Sequence, residues 1–145
     1  MASDAGSNRK KLDDFWMTII SMKPDSPDID YQKLGSFIKP GAKLHLSGMA
    51  NPLAVGPEGV IAGVKDLSTR WSMVHLRRRS CFQSNDGTTL VTEMDNDITF
   101  MGEAVPNFPE TEVVEFGEDG LIASYRLYCD GTPLTEILQR KAATK

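Results

Sequence analysis

A strand–turn–strand pattern at residues 111–129 constrains the fold of this 145-residue chain more than any other segment. Its first half is rich in β-forming Val and Phe, and Glu-Asp-Gly at 118–120 has the residue types of a tight turn. Residues 121–129 then alternate between two faces, and both faces carry large side chains. A strand with two bulky faces is typically covered on both. The pattern therefore predicts a hairpin inside a sheet rather than at its edge.

The composition is that of a globular domain, with 40% apolar residues, 25% charged residues and a net charge of −4. A chain of this length can bury a sizeable core, and its acidic balance argues against a nucleic-acid partner. No apolar run is long enough to span a bilayer, and the polar N-terminus lacks the apolar core of a signal peptide. We therefore expect a cytoplasmic protein with no membrane partner. Cys81 and Cys129 lack metal-ligand spacing and are expected to be reduced.

The remaining pattern predicts three helices and a set of strands in one domain over 9–145, after a disordered N-terminus at 1–8. The helices begin near Arg9, Tyr31 and Glu58, and the third is expected to run to about His75. Helices gathered on one side of a bent antiparallel sheet form an α+β fold with a conical space that suits a small molecule. The predicted strands are 42–47, 76–84, 88–101, 111–116 and 121–129, with an irregular connection at 103–109.

Three acids, Glu93, Asp95 and Asp97, share one face of the strand predicted over 88–101. If that face lines an apolar pocket, lost hydration and like-charge repulsion favour the neutral form of at least one carboxyl, which suits an acid or base. If it faces water, the three carboxylates are merely solvated. We expect them to reach into the cavity, because the apolar residues of the opposite face would suit a dimer contact.

Other polar side chains are candidates for the site. His45 lies on the first predicted strand, and an imidazole can exchange a proton near neutral pH, although a lone His is commonly a hydrogen-bonded structural residue. Asp130 follows the last strand and could act as an acid or base, or could cap the segment that follows. The side chains expected to contact a substrate are Tyr125, Tyr128, Trp71, Leu127 and Met49.

The pattern F-G-E-D-G-L-I-x-x-Y-R-x-Y-x-D-x-x-P-L at 116–134 resembles the last hairpin of the SnoaL-like polyketide cyclases and limonene epoxide hydrolases, within the nuclear-transport-factor-2-like superfamily. The similarity runs from Lys11 to Leu134. It includes F-I-K-P-G-A before the first strand and V-G-P-E-G-V before the third helix. The resemblance implies a cone-shaped α+β barrel, with a strongly curved antiparallel sheet wrapped on three N-terminal helices. It also implies a homodimer through the outer face of the sheet, and acid/base chemistry without a metal or organic cofactor.

One departure from the family pattern narrows the implied chemistry. The epoxide hydrolases carry W-R-D-Y-F-D in the final strand, whereas this chain has Y-R-L-Y-C-D, so Leu127 stands where their first, catalytic Asp would be. Asp130 then becomes the candidate acid on this strand. The expected activity is isomerisation or cyclisation of a hydrophobic, oxygenated polyketide- or terpenoid-type intermediate in secondary metabolism. The alternatives are a non-catalytic small-molecule binding or dimerisation module, and an epoxide hydrolase.

Overall fold

The computed structural model describes residues 5–48 and 53–144. None of the helices in these ranges is long and apolar enough to cross a membrane. The described elements are α1 (Ala5–Ser21), α2 (Asp28–Gly35), β1 (Ile38–Ser47), β2 (Ala54–Val55), α3 (Gly56–Leu67), β3 (Trp71–His75), β4 (Arg78–Gln83), β5 (Thr89–Phe100), β6 (Glu103–Phe116), β7 (Ile122–Cys129) and α4 (Thr132–Ala143).

The strands form one strongly curled sheet in the order β2-β1-β7-β6-β5-β3, with β4 also paired to β5. The predicted hairpin is present as the end of β6 and the whole of β7. The sheet is mixed rather than wholly antiparallel, because β1 returns from the helices to lie parallel to β7. The fold is the expected α+β cone, with α1, α2 and α3 on the concave side, here called the inner face.

An apolar stripe docks α1 on the inner face. Leu12, Phe15 and Trp16 recur at helical spacing and are 2%, 2% and 5% exposed. The Phe15 ring meets the Tyr125 ring edge-on, with 6.1 Å between their centroids. This packing holds the Trp16 indole over the middle of β6 and β7.

Helix α1 begins four residues earlier than the sequence pattern predicted. Residues 5–8 are helical rather than part of a disordered tail, and residues 1–4 lie outside the described ranges. Asn8 is buried, and its Nδ2 donates a hydrogen bond to the Gly87 carbonyl oxygen at 2.9 Å. This bond ties the helix to the turn before β5.

We expect Asn8→Ala to lower the free energy of unfolding by about 1 kcal/mol, because the Gly87 carbonyl loses a buried donor. Urea denaturation of the variant beside the wild type measures this difference. Lys10→Ala, which removes an exposed ion pair with Asp14 on the same helix, should have a smaller effect. Equal losses in the two variants would show that the Asn8 bond is not what anchors the helix.

Two strand boundaries also differ from the prediction. Helix α3 ends at Leu67, and the segment expected to prolong it is β3, whose β-forming residues pair with the end of β5. The connection expected to be irregular at 103–109 is the first half of β6. Its prolines are tolerated beside a β-bulge, marked by Asn107 at φ 54° and a register shift between Asn96 and Ile98.

The apolar residues of β5 that were predicted for the outer face of the sheet are not there. Met94, Ile98 and Phe100 lie in the core and are 2%, 1% and 4% exposed. Because a strand has a period of two, their burial turns the alternate residues of β5 outward. A row of directly paired outward residues crosses the sheet through Phe82, Val91, Val113, Arg126 and His45.

Candidate active site

A cavity of about 410 Å³ lies between the helices and the inner face of the sheet. Among the described residues, the ionisable side chains that line it are Glu110, Tyr125 and Asp66. Asp66 is exposed and pairs with Arg70 at 2.9 Å, so it belongs to the mouth of the cavity. The rest of the described wall is largely apolar and includes Phe15, Trp16, Leu44, Leu46, Val60, Trp71 and Leu127.

Glu110 is the carboxyl that lines the interior of this cavity. It is 5% exposed, and its Oε1 accepts a hydrogen bond from Asn96 Nδ2 at 3.0 Å. Burial raises the pKa of Glu110 to about 7; the Asn96 hydrogen bond lowers it, and the neighbouring Glu112 raises it further. Near neutral pH this carboxyl can therefore both accept and donate a proton.

Glu112 lies two residues along the same face of β6 and is fully buried. Its Oε1 accepts hydrogen bonds from Trp16 Nε1 at 2.7 Å and from the Tyr125 hydroxyl at 2.9 Å. Its Oε2 is buried and has no hydrogen-bond partner among residues 5–48 and 53–144. Burial raises the pKa of Glu112, against the effect of the Trp16 and Tyr125 hydrogen bonds.

The sequence contains a signal for Glu110 and Glu112 that the prediction missed. Val114 and Phe116 are core residues of the same strand, and counting back in steps of two places both glutamates on the inner face. The signal was masked because residues 103–109 were read as a loop, which put both acids at the start of the strand.

The three acids predicted to enter the cavity lie on the outer face instead, so that expectation is wrong. Each has a partner there: Ser80 Oγ donates to Glu93 at 2.7 Å, Arg79 pairs with Asp95 at 3.1 Å, and Arg77 with Asp97 at 2.6 Å. The pKa of Asp97 is lowered, first by the Arg77 hydrogen bond, whereas a raised pKa was predicted for at least one of the three carboxyls.

The other predicted site residues divide between the two sides of the sheet. His45 and Tyr128 are exposed on the outer face, away from the cavity. Tyr125, Leu127 and Trp71 line the cavity, and contact with a substrate stays a prediction for them. Met49 lies outside the described residues.

Asp130 is exposed and is placed to cap rather than to catalyse. Its Oδ1 accepts hydrogen bonds from the Thr132 backbone N–H at 3.0 Å and the Thr132 hydroxyl at 2.6 Å. These two bonds lower its pKa. Asp130 therefore stabilises the turn into α4, which was the alternative that its sequence position left open.

We expect Asp130→Ala to lower the melting temperature by a few degrees, because the turn loses both hydrogen bonds. Any proton-transfer activity should stay within about twofold of the wild type, since Asp130 is outside the cavity wall. Calorimetry and an activity assay on the same preparation measure the two effects. A large loss of activity at unchanged stability would return Asp130 to the mechanism.

No group of three or more His, Cys, Asp or Glu side chains suited to a metal ion occurs among residues 5–48 and 53–144.

Comparisons with known proteins give similarity of structure without similarity of sequence. No protein-family model and no curated protein matches the chain. An NTF2-like protein of unknown function from Burkholderia pseudomallei matches with a TM-score of 0.71 at 15% identity, over 90% of this chain and 95% of that one. An LEH-like epoxide hydrolase from M. tuberculosis matches with a TM-score of 0.66 at 14% identity, over 87% and 80%. A steroid delta-isomerase from Pseudomonas aeruginosa matches with a TM-score of 0.61 at 18% identity, over 99% and 97%.

At these identities the similarity is one of fold. It agrees with the element order, the curled sheet and the cavity beneath the helices. The chain has the nuclear-transport-factor-2-like fold, which the pattern at 116–134 implied.

Proposed function

We propose that this protein is a cofactor-independent isomerase or cyclase that acts on a hydrophobic, oxygenated polyketide- or terpenoid-type intermediate. The observation that carries the proposal is Glu110, a carboxyl that lines an apolar cavity and whose pKa burial raises to about 7. A buried carboxyl poised near neutral pH is characteristic of a proton-transfer site.

The reaction follows from where Glu110 stands. In its ionised form it removes a proton from a carbon next to a substrate carbonyl, and the electron pair moves onto the carbonyl oxygen as an enolate. Where a C=C bond adjoins the deprotonated carbon, return of the proton at the far end of that bond shifts the double bond and completes an isomerisation. Attack of the enolate carbon on a second carbonyl, which takes up the proton as a hydroxyl, completes an aldol cyclisation. The apolar wall excludes water, so the enolate is not quenched early.

Tyr125 is the second group that we assign to this chemistry. Tyr125 lines the cavity, and its hydroxyl donates a hydrogen bond to Glu112 Oε1 in the free protein. Rotation of the hydroxyl would redirect its proton to the developing enolate oxygen, while Trp16 continues to hold Glu112 at 2.7 Å. A donor placed where negative charge develops stabilises the transition state.

Two other functions are alternatives to an isomerase or cyclase: an epoxide hydrolase and a non-catalytic carrier. Epoxide hydrolysis has less support, because Leu127 lines the cavity where the related hydrolases carry an acid. The largely apolar wall also suits a carrier that binds without chemistry. A proton-transfer assay separates the carrier from the enzyme.

The test uses 5-nitrobenzisoxazole, a flat apolar probe whose ring opens when a base removes its carbon-bound proton. The N–O bond breaks, its electron pair goes to the oxygen, and the product is the coloured 2-cyano-4-nitrophenolate. We expect saturable turnover that rises as pH rises through about 7, because the ionised form of Glu110 is the base. Saturable binding with no turnover above that of free acetate at any pH would support the carrier instead.

The homodimer also stays a proposal. Phe82 and Tyr128 stand on the outer face and are 60% and 46% exposed, which leaves apolar area for a second copy to cover. Sedimentation equilibrium at micromolar concentration should give a molecular mass of two chains for the wild type. Phe82→Glu should reduce this mass to that of one chain. A wild-type monomer would contradict the proposal.

A further inference from the structure

Glu110 is held by Asn96, and Asn96 is in turn held by a residue of the opposite face of the sheet. We propose that the outer-face ion pair of Arg77 and Asp97 is a positioning device for Glu110 and acts through the Asn96 side chain. The inference rests on the proposed function only in treating Glu110 as the reacting group.

The orientation of the Asn96 amide is fixed by chemistry. Its Oδ1 accepts a hydrogen bond from the Arg77 backbone N–H at 3.0 Å, and its Nδ2 donates to Glu110 Oε1 at 3.0 Å. A backbone N–H can only donate, so the amide oxygen must face Arg77 and the nitrogen must face Glu110. Asn96 is fully buried, and these two bonds determine where its side chain lies.

Arg77 has a backbone N–H to give because it lies in the break between β3 and β4. Register shifts on both sides of this break interrupt the regular ladder with β5. The Arg77 carbonyl oxygen accepts the Asp95 N–H at 2.9 Å, while its N–H goes to the Asn96 side chain. Because the ladder is interrupted here, the Arg77 backbone N–H hydrogen-bonds to the inward-facing Asn96 side chain rather than to a strand carbonyl.

The guanidinium of Arg77 fixes this break from the outside. Its two terminal nitrogens donate to the two Asp97 carboxylate oxygens, each at 2.6 Å, and Nη2 also donates to Asn107 Oδ1 at 3.1 Å. Asp97 Oδ1 accepts the Asn107 backbone N–H at 3.0 Å, which joins β6 to the cluster. A two-pronged pair of this kind sets position as well as charge. Displacing Arg77 would therefore move the backbone N–H that donates to Asn96 Oδ1. The Asn96 side chain would then be held less firmly against Glu110.

The titratable groups around Glu110 come from three elements. Glu112 is on the same strand, Cys129 and Tyr125 are on β7, where Cys129 pairs directly with Glu110, and Asp66 lies at the mouth of the cavity on α3. Burial raises the pKa of Cys129 to about 11, so it stays neutral at neutral pH. None of these groups belongs to the outer-face pair, so they are the same in every variant below.

The positioning hypothesis and a simple charge effect predict opposite changes in the pKa of Glu110 for one variant, Asp97→Ala. The Asn96 hydrogen bond lowers the pKa of Glu110, so a device that positions Asn96 should raise that pKa when either partner is removed. A pure charge effect would raise the pKa of Glu110 in Arg77→Ala, which loses a cation, and lower it in Asp97→Ala, which loses an anion.

The experiment follows the Glu110 carboxyl by ¹³C NMR titration, with Glu110→Gln used to assign the signal. We expect a rise of about half a pH unit in both Arg77→Ala and Asp97→Ala. Arg79→Ala and Asp95→Ala are the matched controls, because that pair joins β4 to β5 at 3.1 Å on the same face. The controls should leave the Glu110 pKa unchanged. A lower pKa in Asp97→Ala, or equal shifts in the controls, would overturn the proposal.

A second readout keeps this inference separate from the proposed function. The side-chain NH₂ resonances of Asn96 should shift in Arg77→Ala and Asp97→Ala whether or not Glu110 titrates near 7. If Glu110 of the wild type titrates near 4.5, the proposed function fails, and the Asn96 signals alone decide the positioning. If an alanine variant does not fold, Arg77→Lys replaces it. Lysine keeps the charge but cannot donate to both Asp97 oxygens in the same way, so this variant should still raise the pKa of Glu110. Unchanged Asn96 resonances would overturn the proposal.

Discussion

Replacement of Glu110 by glutamine is expected to lower the rate of proton abstraction from 5-nitrobenzisoxazole at least about 10²-fold. Gln keeps the size of the side chain and an oxygen for the Asn96 donor, but it cannot take up a proton. The rate constant per enzyme at saturating probe, at a pH above 7, measures the effect, and far-ultraviolet circular dichroism shows that the fold is retained.

Glu115→Gln is the matched control for this prediction. Glu115 lies on the same strand, β6, but it is only half-buried and pairs with Arg126 at 3.3 Å. Its loss changes the net charge by the same amount without touching the cavity. If Glu110→Gln and Glu115→Gln both retain wild-type rates, another group must be the base and the proposed function is wrong in its central residue.

The final hairpin and the docking of α1 could be predicted from the sequence because their patterns are local. The turn at 118–120 and the alternation after it determine the hairpin, and the stripe through Leu12, Phe15 and Trp16 determines where α1 docks. The parallel pairing of β1 with β7 was not predictable in this way. It joins segments about 80 residues apart, and no local pattern in either strand specifies its partner.

The candidate site was mispredicted through the choice of face on β5. Leu90, Met94 and Ile98 are the residues that a core requires, and their burial alone would have turned Asp95 and Asp97 outward. The prediction assumed that a dimer contact would bury those apolar residues on the outer face. That assumption exchanged the inner and outer faces of β5. The buried glutamates, Glu110 and Glu112, are on the neighbouring strand β6, whose first half was predicted to be an irregular connection.

The link from Arg77 to Glu110 could not be predicted from sequence at all. It requires a break between two strands, a backbone N–H left over at that break, and an Asn at the one position that reaches it. Each of these residues has an ordinary reading alone: Arg77 as a solvated cation, Asn96 as a strand residue, Asp97 as a surface acid. Only their arrangement in space joins them to the cavity.

The stability of the wild type relative to Glu110→Gln is expected to fall by about 3 kcal/mol between pH 4.5 and pH 8. Below pH 4.5 the Glu110 carboxyl is neutral in both the folded and the unfolded state, so it adds no penalty. Between 4.5 and about 7 the unfolded chain releases the proton while the folded protein still holds it. Rising pH therefore favours unfolding, and above about 7 the folded protein carries the full cost of a buried charge.

Denaturant unfolding of the two proteins at several pH values measures this difference. Glu112, whose pKa burial also raises, and Asp97, whose pKa the Arg77 hydrogen bond lowers, are present in both proteins and largely cancel. A difference between wild type and Glu110→Gln that does not change with pH would mean that Glu110 titrates like an exposed carboxyl. The raised pKa on which the proton-transfer site depends would then be absent.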